Sequence, residues 1–175
     1  TVIDPLTGNA IQYEQLKLGP DGKEWIQSTA NEIGCLTQGV KPHMESSTKT
    51  IHFIWHSDKP ADCVATYLHI VTDEKPNKTE PKRICFTVGG DHIIYTDVTT
   101  LTTDLSTIKL LLNSTLSTKD ARFMTIDIKD FYLNTPMEQY EYMCIPIKHI
   151  PEVIMTQYQL EPLIHNGHIM VEIHK

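Results

Sequence analysis

An α+β fold is what this sequence predicts, on three observations. Several stretches carry apolar residues at helical spacing, several short runs are rich in strand formers, and no internal repeat orders them. Asp21 with Glu24 three residues on has a capping-box pattern, and Trp25, Ile26, Ala30, Ile33 and Leu36 follow at helical spacing. That places a helix over about Asp21 to Leu36. Thr50 to Trp55, Val64 to Val71 and Arg83 to Val88 read as strands. The last two are joined by a charged, proline-punctuated loop, Thr72 to Lys82, and Gly89, Gly90 and Asp91 then mark a turn. From a cap at Thr103 or Asp104, Leu105, Ile108, Leu111, Leu112 and Leu116 recur at helical spacing. Ala121 to Ile128 reads as a short strand ending on a carboxylate, and Tyr140 to Ile145 as another strand. Pro151 to Leu160 reads as a helix with proline in its first turn, and His168 to Ile173 as a last strand. A strand so close to the final residue predicts that the chain stops within a sheet.

Composition narrows the class. With 40% hydrophobic residues the chain can bury a core, and no apolar run approaches the ~20 residues of a membrane span, so no membrane partner is expected. The N-terminal residues show no basic and apolar leader pattern. Cys35, Cys63, Cys85 and Cys144 are scattered without a C-x-x-C pair. That pattern points away from a zinc site or disulfide scaffold and toward a reducing, intracellular (cytoplasmic or nuclear) setting. The net charge of −7 excludes nucleic-acid binding through the overall field, so any such function must rest on local basic clusters. His52 and His56, four apart on a strand, do not share a helical face, and His165, His168 and His174 have no zinc-type cysteine nearby in sequence.

The chemistry concentrates in Phe123 to Pro136, FMTIDIKDFYLNTP. An aspartate leaving a strand can hold Mg²⁺, a hard ion that prefers oxygen ligands. A second aspartate three residues on and an aromatic five residues on complete a physically sensible nucleotide site. Two metals held by carboxylates would activate a primer 3′-hydroxyl and stabilise the departing pyrophosphate. The turn beyond the strand exposes backbone N–H groups that can cradle a triphosphate, and an aromatic ring past it would lie beneath the sugar.

FMTIDIKDFYLNTP resembles the first palm motif of retroviral and LTR-retrotransposon reverse transcriptases. YEYMCIP resembles the E-x-x-Y-M-x-x-P stretch that follows it in copia-like elements. Upstream, HIVTDEKPNK resembles the fingers motif R-x-[LIV]-V-D-[FY]-R-x-x-N-K, with His69 in place of the leading arginine and Glu74 in place of the aromatic. HIMVEIHK is similar to the strand ahead of L-Y-G-L-[KP]-Q-A in the same polymerases. That segment and the [YLV]-x-D-D motif do not occur in the chain.

The resemblance implies a truncated reverse transcriptase-like fold, with fingers over 1–118 and a partial palm over 119–175. It implies that Asp127 is the metal-binding catalytic aspartate and that Ile128 lends its backbone carbonyl to the metal, Mg²⁺ or Mn²⁺. Asp130 and Phe131 would offer backbone amides to the incoming dNTP, and Tyr132 would be the gate that excludes a 2′-hydroxyl. Lys75 and Lys78 fall on or near basic positions of the fingers motif, and with Lys82 and Arg83 they would form a basic hairpin for triphosphate or template. The implied partners are an RNA or DNA template-primer and the remainder of a Pol polyprotein. Two other readings stand beside this one. The chain is a catalytically dead or domesticated fragment used for binding, or an unrelated acidic α/β binding domain in which Asp127 is only a cap.

Overall fold

The computed structural model describes residues 1–42, 44, 47–92 and 103–175, the side chains of His92 and Tyr132 excepted. It is mixed α+β, with four α-helices and five strands among the described residues. In chain order these are α1 (Tyr13–Leu18), α2 (Gly22–Leu36), β1 (Ile51–Ile54), β2 (Thr66–Glu74), β3 (Lys82–Val88), α3 (Leu105–Ser117), β4 (Glu141–Pro146), α4 (Glu152–Gln157) and β5 (His168–Ile173). The chain divides into two compact units, one comprising Thr1–Ile93 with Tyr132–Lys175 and the other Ile94–Phe131.

The first unit holds the whole sheet, in the order β1-β5-β4-β2-β3. Strands from both sides of residue 118 therefore share one sheet. β5 pairs antiparallel with β1 and β4, and β2 and β3 form an antiparallel hairpin. The hairpin joins the rest through a short parallel contact, Thr66 opposite Met143 and Tyr67 opposite Cys144. Gly89 closes the base of the hairpin. Its N–H donates to the Tyr67 carbonyl at 3.1 Å, and a Cβ there would lie 2.5 Å from the Tyr67 ring, so only glycine fits without moving that ring.

Helix α2 links two parts of the core. After the buried Gly22 at its start, α2 buries Trp25, Thr29, Ala30, Ile33 and Gly34, a stripe at spacings of four, one, three and one. Ile26 falls about 100° round from Trp25 and is exposed. Trp25 packs with Tyr13 and Ile84, tying α1 and α2 to the hairpin. Ala30 and Ile33 join the main cluster with Ile51, Met143, Ile145, Ile154, Ile169 and Val171. Gly34 permits the closest approach in this region, since a Cβ there would meet Val40 Cγ2 at 2.2 Å. The outer edge of β3 is covered by the same helix. The Ile84 N–H donates to Ser28 Oγ at 3.1 Å and the Phe86 N–H to Glu32 Oε1 at 3.3 Å, which satisfies edge groups that would otherwise pair with another chain.

Two sequence expectations need correction here. The capping box at Asp21 does not form: Asp21 occupies the N-cap position but makes no side-chain cap bond, and its carboxylate pairs instead with Lys82 at 2.8 Å. The strand expected over Ala121 to Ile128 is also absent. Residues 121–128 carry no strand or helix, and all are exposed. A strand is stabilised by a partner that completes its hydrogen-bond ladder and covers one face, and β propensity alone does not supply either. The cap expected at Asp104 does form, its carboxylate accepting from Thr107 N at 3.0 Å and from Thr107 Oγ1 at 2.7 Å.

Candidate functional site

The β2–β3 hairpin carries the four basic residues of interest, and it places them in two kinds of surroundings. Lys75 and Lys78 are exposed at the tip. Backbone bonds shape that tip, Lys75 N to Pro81 O at 2.7 Å and Lys78 N to Lys75 O at 3.0 Å. Arg83, also exposed, sits opposite Asp73 in the strand register. Lys82 differs. Its ammonium lies 2.8 Å from Asp21, contacts Glu74, and stands 5.6 Å from the centre of the Trp25 ring, with 13% of its side chain exposed. The hydrogen bond to Asp21, then that to Glu74, holds its pKa above the usual lysine value. Lys82 is thus a clamp between α2 and the hairpin, and its charge is answered within the fold. As placed, Lys75 and Lys78 are the cations the hairpin presents outward at its tip.

The carboxylate segment lies in the other unit up to Phe131, with Tyr132 opening the return to the first. Asp127 is exposed in the irregular stretch after Ala121, so the strand end expected beneath it is missing. Ile128 is 60% exposed and Phe131 56%. The turn expected after the aspartate does form, at Lys129–Asp130, where Asp130 adopts a positive φ of 55°. A short side chain that can bond locally tolerates that left-handed region, which suits aspartate. Lys129 lies 3.9 Å from the Asp130 carboxylate, a long and exposed contact of little energetic weight. Tyr132–Asn134 then makes a single 3₁₀ turn. The expectation that Tyr132 is a sugar gate concerns a side chain outside the described residues.

Among the described residues, no group of three or more His, Cys, Asp or Glu could hold a metal ion. Mg²⁺ in phosphoryl-transfer sites is ordinarily held by one or two carboxylates together with substrate phosphates and water. Asp127 and the Ile128 carbonyl amount to part of such a set and do not form a metal site by themselves.

The histidines are where the fold adds most to the sequence. His52 and His56 each meet a histidine from the C-terminal region, because β1 and β5 run antiparallel. The His52 ring centre is 4.2 Å from that of His174, and His56 stacks on His165 at 4.1 Å. His56, His165 and His168 also line a cavity of about 190 Å³ with Cys144, Asn166 and Met170. The sequence contains every one of these residues, but only the strand register brings them together. Compared with known proteins, this chain matches no family model, no curated protein and no solved structure.

Proposed function

We propose that this chain is the fingers and first palm portion of an RNA-directed DNA polymerase of the LTR-retrotransposon type. In that reading Asp127 contributes one metal-binding carboxylate to two-metal nucleotidyl transfer. One observation carries the reading. Asp127 stands three residues ahead of a left-handed turn at Asp130, in a string that resembles the first palm motif of those enzymes. Such a turn presents backbone N–H groups, which suit a triphosphate. Lys75 and Lys78 at the hairpin tip would contact phosphates, which position nucleic acid without reading its sequence. Among the described residues, no helix is long and apolar enough to cross a membrane.

In the complete enzyme Mg²⁺ or Mn²⁺ would supply Lewis-acid activation of the primer hydroxyl. This chain would supply one carboxylate, the turn amides and the hairpin lysines. The exposed apolar residues Phe123, Met124, Ile126 and Ile128 fit a strand whose partners lie elsewhere in such an enzyme. A second reading, a fragment that binds and does not catalyse, is favoured by the neutralised Lys82 and by His69 at the arginine position.

The experiment is primer extension on poly(rA)/oligo(dT), in Mg²⁺ and in Mn²⁺, with two proteins. The purified 175-residue chain is expected to give no extension. A longer product that continues this chain by ~100 residues, such as would carry the remaining carboxylates in this reading, is expected to extend the primer and to lose that activity in Asp127→Asn. Binding of template-primer by an extended product that never polymerises would favour the second reading. Activity unchanged in Asp127→Asn would overturn the first.

A further inference from the structure

β1 is an edge strand held to the sheet by β5 alone. It is four residues long, Ile51 is fully buried, and the three residues after it are half-buried. Each end of its pairing carries a histidine couple: His52 against His174, and His56, just past the strand, against His165. Neutral imidazoles stack at such distances as other aromatic rings do, whereas two imidazolium ions there repel. We propose that β1 is a proton-released strand, clamped to β5 by two histidine couples when they are neutral and freed when both rings of each couple become charged.

Charged and hydrogen-bonding groups surround the first couple. His174 Nε2 lies 2.6 Å from Glu172 Oε2, and its ring stacks on Tyr140 at 4.0 Å. The other Glu172 oxygen accepts from the Tyr142 hydroxyl at 3.0 Å. Glu172 is thus held in place beside the His174 ring. His52 faces that ring and Lys175, with Glu172 opposing them. A backbone hydrogen bond at Lys49 favours charging His52 slightly. Burial first, and then His174, hold His52 below the usual histidine pKa.

At the second couple the groups facing the rings from the cavity are His168, Cys144, Asn166 and Met170, with no carboxylate in that lining. His168 Nδ1 is tied to the Asn166 carbonyl at 2.9 Å, which fixes one neighbouring ring. Besides the ladder to β5, Ile51 sits in the main core cluster, and the lead-in to the strand is tied to the end of α2, Thr48 N–H and Thr50 N–H donating to the Cys35 and Leu36 carbonyls at 2.8 and 2.7 Å. Thr50 O accepts from His174 N at 2.8 Å, Lys175 Nζ donates to Thr48 O at 2.7 Å, and Phe53 meets the Tyr158 ring edge-on at 5.3 Å. A four-residue edge strand with one strand neighbour opens more readily than the interior strands, so repulsion at its two ends changes its population.

Hydrogen-exchange protection of the β1 amides in the full chain, corrected for intrinsic exchange, tests this at pH 7.5 and pH 5.0. Protection of Ile51–Ile54 is expected to fall at least about tenfold at pH 5.0, while the β2–β3 and β4–β5 amides hold theirs. In His52→Phe/His56→Phe, where the rings still stack but cannot charge, the fall is expected to vanish. If that variant does not fold at pH 7.5, His165→Gln/His174→Gln removes the opposite partners and is expected to give the same loss of pH dependence. The proposal is overturned if wild-type β1 keeps its protection at pH 5.0, if all strands lose protection in step, or if the folded variant loses as much as wild type.

Discussion

Replacing Lys82 by methionine keeps an aliphatic stem over Trp25 and removes the charge that Asp21 and Glu74 share. Lys82→Met is expected to lower stability by about 1 kcal/mol in urea unfolding, and to leave single-stranded oligonucleotide binding and its salt slope unchanged. Lys75→Glu/Lys78→Glu is expected to do the reverse. Stability should stay within about 0.5 kcal/mol, and the slope of log K against log salt should flatten by roughly 1.4, since each phosphate contact to a single strand contributes about 0.7. Titration gives another expectation. Burial pushes His149 down, against the opposing pull of Glu14 at 3.0 Å, and His52 is pushed down as well. A depressed histidine pKa means that the folded state binds fewer protons than the unfolded one. Stability from these groups is therefore complete above about pH 6.5, the unfolded histidine value, and is lost as pH falls through their folded values. At the alkaline end, burial and the bond to Glu172 push Tyr142 up to about 12, so its contribution is complete below about pH 10 and is lost as pH rises toward 12. Urea midpoints measured from pH 4.5 to 11 check both limbs, and a midpoint that does not drop between pH 7 and 5 would contradict the first. The sequence showed the residue types here but not their partners. Asp21 has the spacing of a capping residue relative to Glu24, yet its carboxylate goes to a strand sixty-one positions away, a register no local pattern encodes.

At the scale of elements, β5 is found over the residues expected, His168–Ile173, because a nearly continuous apolar run between turn signals suits a strand covered on both sides. The hairpin and α2 also lie close to their expected places, since alternation and helical spacing are local signals. Helix α1 was not read, being only six residues long. Residues 121–128 show the limit from the other side. Their composition favours a strand, but the outcome depends on a partner, which composition does not report. The carboxylate string therefore stands in the sequence as a motif, while the strand expected beneath it does not form. Packing at the element scale yields a further expectation. Gly34→Ala inserts a methyl group where Val40 already stands, and the mutation should cost about 1–3 kcal/mol despite the better helix propensity of alanine. Equilibrium unfolding measures it, and a stabilised variant would show that the backbone at Gly39 and Val40 yields easily.

For the molecule as a whole, α3 presents a large apolar surface among the described residues. Leu105, Leu110, Leu111 and Leu116 on α3 are all more than 60% exposed, and the helix buries none of its residues. Exposed apolar surface on this scale favours association. Leu110→Lys/Leu116→Lys is expected to raise the concentration at which the chain self-associates, read by sedimentation, and to leave the unfolding midpoint within about 0.5 kcal/mol of wild type. The hairpin has a mechanical consequence of its own. Only its first two β2 residues, Thr66 and Tyr67, are stitched to β4, and the next seven pair with β3 alone. Seven residues at about 3.3 Å each make an arm of roughly 23 Å, so a rocking of about 10° at the root would swing the tip by about 4 Å. Helix α2 is bonded along the outer side of that arm through Ser28, Glu32 and Asp21, and its Ala30 and Ile33 sit in the main core, so the helix both stiffens the arm and braces it to the sheet. The two tip lysines thus stand at the end of a stiff strut, held out from the sheet by the helix that braces it, and their reach is set by the length of the arm.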